Sequence, residues 1–156
     1  MLIEALDLFP GARIDVMGAG PRAERLHAHP CVRLLGSCSR LERRQRMRAA
    51  AYLVVPADGH ELLPQAIIEA FASALPVIAA RTGVLAELVE PGRNGLLFEA
   101  GSARELARRL AWAEAFPEKM RQMGECAKAD YDARFLADWS HPTLFGERRR
   151  VARHAG

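Results

Sequence analysis

A chain of 156 residues is long enough for one α/β core, and its 50% hydrophobic and 26% charged residues are the balance of a soluble globular domain. The net charge of +3 is modest, and no apolar run approaches the roughly 18 residues of a membrane span. Three cysteines (Cys31, Cys38 and Cys126) without a close pair speak against a disulfide framework or a cysteine-based metal centre. Met1-Leu2-Ile3 runs straight into Glu4 without a basic n-region, so no signal peptide is expected and the location expected is cytoplasmic.

Residues 1–8 read as the end of a helix, stopped by Pro10-Gly11. Arg13 to Met17 is a short strand that enters the turn Gly18-Ala19-Gly20-Pro21, and a helix through Leu26 should follow. Val32 to Leu35 is the second strand, ended by Gly36-Ser37. The stretch from Leu41 to Ala50 has helical propensity. Tyr52 to Val55 reads as a buried strand closed by Pro56. A helix from about Pro64 to Ala74 precedes the strand Pro76 to Ala79. A short helix near Glu87 and the strand Gly95 to Phe98 come next. Ser102 and Glu105 have the spacing of a capping box for a helix through Leu110. Pro117 opens another helix, and 134–156 reads as a helical tail.

Strands alternate with helices throughout, which predicts a parallel sheet covered on both faces. Arginine is unevenly placed. Arg40, Arg43, Arg44, Arg46 and Arg48 share one stretch, and Arg148, Arg149, Arg150 and Arg153 crowd the end. Such clusters suit an anionic membrane surface or, more commonly, the solvated face of a helix. No aromatic residues interleave with the first cluster to stack bases, so nucleic acid is not expected as a partner.

Ligands of open parallel sheets sit outside the carboxyl ends of the strands. Two loops there stand out. Gly18-Ala19-Gly20-Pro21-Arg22-Ala23 fits a dinucleotide turn, but that reading also wants an acid after the next strand. None occurs before Glu42. The second loop leads from Pro56 to Glu69. Pro64 suits a first helical position, and the free N–H groups of Gln65, Ala66 and Ile67 would favour phosphate. Ile68, Phe71, Ala72 and Leu75 share one face that should bury against the sheet. Glu61 alone fits a surface loop acid, and Glu69 alone a residue favouring the positive end of a helix. Together they flank one helix start in the spacing E-x7-E, with seven residues between them.

At these residues the chain resembles the C-terminal domain of the family 4 (group 1) retaining glycosyltransferases. Val16-Met17-Gly18-Ala19-Gly20-Pro21 is similar to that domain's glycine turn, and Val32 to Gly36 to its next strand. Glu61 to Glu69, then Ala70, sits where the family keeps E-x7-E-A. Pro76 to Ala79, Thr82-Gly83, Glu87 and Asn94-Gly95-Leu96-Leu97 continue in the family's order. The resemblance implies a Rossmann-like three-layer α/β/α sandwich, the C-terminal half of a two-domain GT-B enzyme. It implies one domain over 1–156, with the first strand and the acceptor-binding N-terminal domain outside this chain.

The resemblance also implies roles. Glu69 would accept hydrogen bonds from the ribose of a nucleotide-sugar donor. Glu61, the catalytic candidate, would hold hydroxyls of the transferred sugar. The backbone of Leu63, Pro64, Gln65 and Ala66 would meet the diphosphate or sugar. The base would lie against the loops at Gly18, Gly20 and Gly36, with Ser37 a contact. No metal or other cofactor is implied, because basic side chains and helix dipoles neutralise such donors. Leu62 and Val84 stand where many members have glycine, and Ala57 where serine is usual. Two functions therefore remain open: the donor half of a glycosyltransferase that is inactive alone, or a non-catalytic nucleotide-binding or assembly module of the same fold. The dinucleotide oxidoreductase is the weaker third.

Overall fold

A computed structural model describes residues 1–18, 23, 25–26, 28–56 and 63–136. Its elements alternate as expected: α1 (Leu2–Leu8), β1 (Ile14–Met17), β2 (Val32–Gly36), α2 (Arg40–Ala49), β3 (Leu53–Val55) and α3 (Leu63–Ala72). They continue with β4 (Val77–Ala80), α4 (Gly83–Leu88), β5 (Gly95–Phe98), α5 (Ala103–Ala115) and α6 (Pro117–Tyr131). Ala23, Arg25 and Leu26 are helical between β1 and β2. A π-helical turn, Asp132–Leu136, follows α6, whereas the rest of the tail expected over 134–156 lies outside the described residues. Among the described residues no helix is long and apolar enough to cross a membrane.

Every strand pairing is parallel, and the strands sit between two helical layers. Alternate residues of each strand serve opposite faces. On one face Ile78, Ala80, Leu96 and Phe98 join Ala5 and Leu6 of α1 and Leu106 and Leu110 of α5. On the other, Val55, Val77, Ala79 and Leu97 join Met47 of α2, Phe71 of α3 and Leu85 of α4. α6 spans both clusters, with Met120 and Met123 in the first and Ala127 in the second.

The expected sheet is not continuous. Among the described residues, hydrogen bonding gives a β1-β2 pair and a separate β3-β4-β5 sheet, with no strand pairing between β1 and β3. A cavity of about 690 Å³ lies between them. Its presence explains a second departure from expectation. β4 and β5 are buried at every position, but β3 is buried only at Val55.

Local chemistry also differs from the pattern read in the sequence. Ser102 accepts from the Glu105 N–H at 3.2 Å, but the Glu105 carboxylate turns to the Glu99 N–H at 2.8 Å, so the box is half formed. A complete box caps α2 instead, between Ser39 and Glu42. The buried stripe of α3 is Ile67, Ala70 and Phe71, with Leu75 just beyond, rotated from the expected one. Ile68 and Ala72 are only partly buried because the cluster under α3 is centred on Val77 and Ala79.

α3 stops two residues before the expected Ala74. The Leu75 N–H bonds the Ala70 carbonyl at 2.9 Å and the Ala74 N–H bonds Phe71 at 3.0 Å, a Schellman ending. Ala74 occupies the left-handed position at φ 57°, where glycine is usual. Its carbonyl then presses on Gly124 of α6, where an added Cβ would collide with it. A second tie holds α6. Asp130, 5% exposed, accepts hydrogen bonds from the Arg93 guanidinium and, at 2.9 Å, from Asn94 Nδ2. Asn94 Oδ1 in turn accepts from the Glu90 N–H at 2.8 Å, which shapes the loop into β5.

Ala74→Gly should relieve the left-handed strain and stabilise the fold by about 0.5–1 kcal/mol. Gly124→Ala should destabilise it by about 1–3 kcal/mol by overpacking, although alanine is the better helix former. Urea denaturation of both variants checks the opposite signs. The Arg93 guanidinium holds the Asp130 carboxyl below its ordinary value of 3.8. A lowered folded-state pKa contributes stability that is present above the unfolded value and lost as pH falls through the folded one. Asp130→Asn should therefore destabilise at neutral pH by about 1–3 kcal/mol, with the difference shrinking below about pH 4. Denaturation curves for both proteins across that range measure it.

Candidate functional site

The chain runs outward from β1 to β2, then returns past β1 to β3 and continues to β5 in the other direction. Ligand crevices of parallel sheets form at such a reversal, outside the carboxyl ends. One wall of the crevice is the end of the β1-β2 pair. The register slips there, so that Val16 faces Leu34 but Met17 faces Gly36. The Gly18 N–H then bonds the Gly36 carbonyl at 2.8 Å. Both glycines have positive φ, 130° and 69°, which other residues adopt with strain. Ser37 follows and is exposed. Gly18 and Gly36 are thus brought together at the end of the β1-β2 pair, with Ser37 next to them.

The other wall is α3. Glu69 lies on it with its side chain 25% exposed, facing α2 rather than open water. Arg43, in the first turn of α2, meets this carboxylate. Its Nη2 donates to Oε1 at 3.2 Å, and its Nε lies 2.9 Å from Oε2 as a charge contact. Gln65, one turn earlier on α3, reaches Oε1 at 3.5 Å. The helices that follow β2 and β3, strands of the two separate sheets, are therefore joined through one carboxylate. A carboxylate offers about four lone-pair positions, so Glu69 keeps acceptor capacity for further donors.

Leu63 and Pro64 open α3 and Ala66 lies in its first turn, as the expected helix start requires. Gly20, Glu61 and Leu62 lie outside the described residues, so the second carboxylate of the pair has no observed position. On the far side of the crevice Thr82 precedes α4, with no side-chain cap bond, and Val84 is 51% exposed. Among the described residues no group of three acidic, histidine or cysteine side chains is placed to hold a metal.

Arg43 is the residue that sequence reading missed. It stands in a run of five arginines and looks there like one more solvated charge. The Ser39–Glu42 box fixes the phase of α2, turning Arg43 and Met47, one turn apart, toward the body of the protein while Arg40, Arg44 and Arg48 stay exposed. The S-x-x-E spacing was the available signal.

The sequence model of the family described as "Glycosyl transferases group 1" matches residues 1–114. An exopolysaccharide phosphotransferase of Streptomyces coelicolor, SCO2592, is 30% identical over 144 residues, covering 86% of this chain and 15% of that protein. The sulfoquinovosyl transferase SQD2 of Arabidopsis thaliana is 29% identical, covering 92% of this chain and 28% of that protein. Among solved structures, Anabaena Alr3699/HepE in complex with UDP-glucose superposes with a TM-score of 0.73 at 28% identity, covering 86% of this chain and 40% of that one. The chain thus spans well under half the length of each of these three proteins.

The Arg43–Glu69 pair is partly exposed, 39% and 25% for the two side chains, so solvent screens it. A double-mutant cycle with Arg43→Ala and Glu69→Ala should give a coupling of about 0.5–1 kcal/mol in unfolding free energy. The coupling should fall as salt is added.

Proposed function

The chain belongs to the group 1 glycosyl transferases, and on that premise we propose that it is the nucleotide-sugar-binding half of a retaining two-domain glycosyltransferase. The observation that carries the reading is the carboxylate of Glu69, held by Arg43 and Gln65 beside the strand-order reversal. A ribose presents two adjacent hydroxyl donors, and a fixed carboxylate with spare lone pairs accepts both. The base then lies toward the wall formed by Gly18, Gly36 and Ser37, where the absence of side chains at the glycines leaves room for a flat ring. UDP-glucose bound to Anabaena HepE supports a donor of this class.

The diphosphate falls to the start of α3. The first-turn N–H groups of a helix lack intrahelical acceptors and carry the positive end of its dipole, so they favour phosphate. The N–H groups of Leu63, Gln65 and Ala66 supply them, Pro64 having none to leave unpaired, and no metal is needed for that neutralisation. Stabilising the charge on the departing nucleoside diphosphate is the catalytic contribution of such a cradle. Glu61 holds hydroxyls of the transferred sugar near the reacting carbon. Sugar transfer itself needs an acceptor-binding domain, which closes the crevice and strengthens each electrostatic contact by excluding water. Arg40, Arg44 and Arg48, exposed on α2, supply a basic face suited to an anionic membrane surface.

Calorimetric titration with UDP, GDP and ADP, with and without a chelator, tests the reading. One nucleotide should bind weakly, with unchanged affinity when the chelator is present; strict metal dependence would count against the site. Glu69→Ala should lose about tenfold or more in affinity, the equivalent of a charged hydrogen bond worth roughly 1.5–3 kcal/mol. Glu61→Ala should leave nucleoside diphosphate affinity nearly unchanged and weaken binding of the intact nucleotide-sugar. If both variants bind the nucleotide like the parent, the site lies elsewhere.

A further inference from the structure

β5 is the last strand of the β3-β4-β5 sheet, bonded among the described residues to β4 alone. An outermost strand ordinarily presents a row of free N–H and C=O groups to solvent. β2, outermost in the other sheet, has that character, with no position fully buried. β5 does not. All four of its residues are buried, so its outer edge is covered.

The Asn94 and Phe98 carbonyls face β4, where they accept from the Val77 and Arg81 N–H groups at 3.4 and 2.8 Å. The two-residue period of a strand therefore turns the main-chain groups of Gly95, Leu97 and Glu99 outward. Three of those groups already have partners within the chain. The Gly95 carbonyl accepts from the Gly92 N–H at 2.9 Å. The Leu97 carbonyl accepts from Arg109 Nε at 2.9 Å, and the Glu99 N–H donates to the Glu105 carboxylate at 2.8 Å.

Glu105 and Arg109 stand one turn apart on α5, at the spacing where a glutamate and an arginine ordinarily pair with each other. Here each reaches the strand instead. Two residues along a strand rise about 6.6 Å and four along a helix about 6 Å, so one turn matches the repeat of outward groups. The chemistry matches as well. The carboxylate accepts from the N–H, and the guanidinium donates to the carbonyl. Both side chains belong to partly buried residues, whereas Arg104 and Arg108 of the same helix are exposed.

We infer that Glu105 and Arg109 guard the β5 edge, and that without them the edge accepts a second copy of this chain. Association of two identical edges closes most simply with two-fold symmetry, which runs the two β5 strands antiparallel. Leu97, central among the outward groups, then faces its own copy. Its N–H donates to the Leu97 carbonyl that Arg109 has released. Gly95-Leu96-Leu97-Phe98 carries no charge to oppose such pairing, so the opposition comes from outside the strand. The guard is independent of any nucleotide chemistry.

Arg109→Met keeps an aliphatic stem and removes the donor, and Glu105→Leu removes the acceptor. Arg109→Lys and Glu105→Gln retain a donor and an acceptor. Sedimentation and hydrogen exchange are compared among the 156-residue parent, the Met/Leu double variant and the Lys/Gln double variant. As concentration rises, the Met/Leu variant should move from 17.2 kDa toward twice that mass. Exchange of its Leu97 amide should slow by about tenfold or more as the dimer forms. The Lys/Gln variant should behave as the parent. If the Met/Leu variant does not fold, Arg109→Met alone is judged by the same two readouts. A folded variant that stays monomeric overturns the inference. Association that leaves Leu97 exchange unchanged does so too, because the contact then lies on another surface, such as the β2 edge. A parent that already dimerises with Leu97 protected would show that no guard exists.

Discussion

Parallel pairing forces every connection to climb back over a face of the sheet, and most of this protein follows from that constraint. It requires helices on both faces and apolar side chains on both sides of the strands. It also places all carboxyl ends on one edge. The helix starts after β2, β3 and β4 therefore gather at that edge, where the Gly18–Gly36 contact and the Arg43–Glu69 pair face one another across the strand-order reversal. Nothing in Glu69 by itself sets it apart from other surface carboxylates. Its pairing with Arg43 comes from a backbone geometry that delivers α2 and α3 side by side.

Features carried by short-range pattern were legible in the sequence. The alternation of strands and helices, the glycine turn after β1 and the helix starting near Pro64 all depend on residues within a few positions of one another. Features carried by long-range packing were not. The buried stripe of α3 turned because Val77 and Ala79, in the following strand, decide which side of the helix is covered. Glu105 abandoned its capping role because the N–H of Glu99, at the end of β5, offered a better placed donor. The exposure of β3 is of the same kind: Tyr52 to Val55 has the composition of a buried strand, yet among its strand residues only Val55 is fully buried.

Arg43 shows how charge and fold interact at the site. An isolated arginine on a solvated helix contributes little, and four of its neighbours in sequence have that character. Its position in the first turn of α2 changes its role, since it holds the Glu69 carboxylate in one orientation. Preorganised acceptors lose less entropy on binding than mobile ones. The glycines opposite are fixed similarly, because the Gly18–Gly36 bond locks the backbone there.

The packing of α1 against α5 sets a timetable for the chain. β3, β4 and β5 follow one another in sequence and close through short connections, as do β1 and β2. Bringing Leu6 against Leu106 joins groups roughly a hundred residues apart, a contact with a high loop-closure entropy. On a ribosome, the amino-terminal half must therefore wait until α5 has emerged before its apolar face is covered. During that interval Ala5, Leu6 and Ile14 are exposed to whatever else is present in the cell, and the molecule is then most dependent on chaperones.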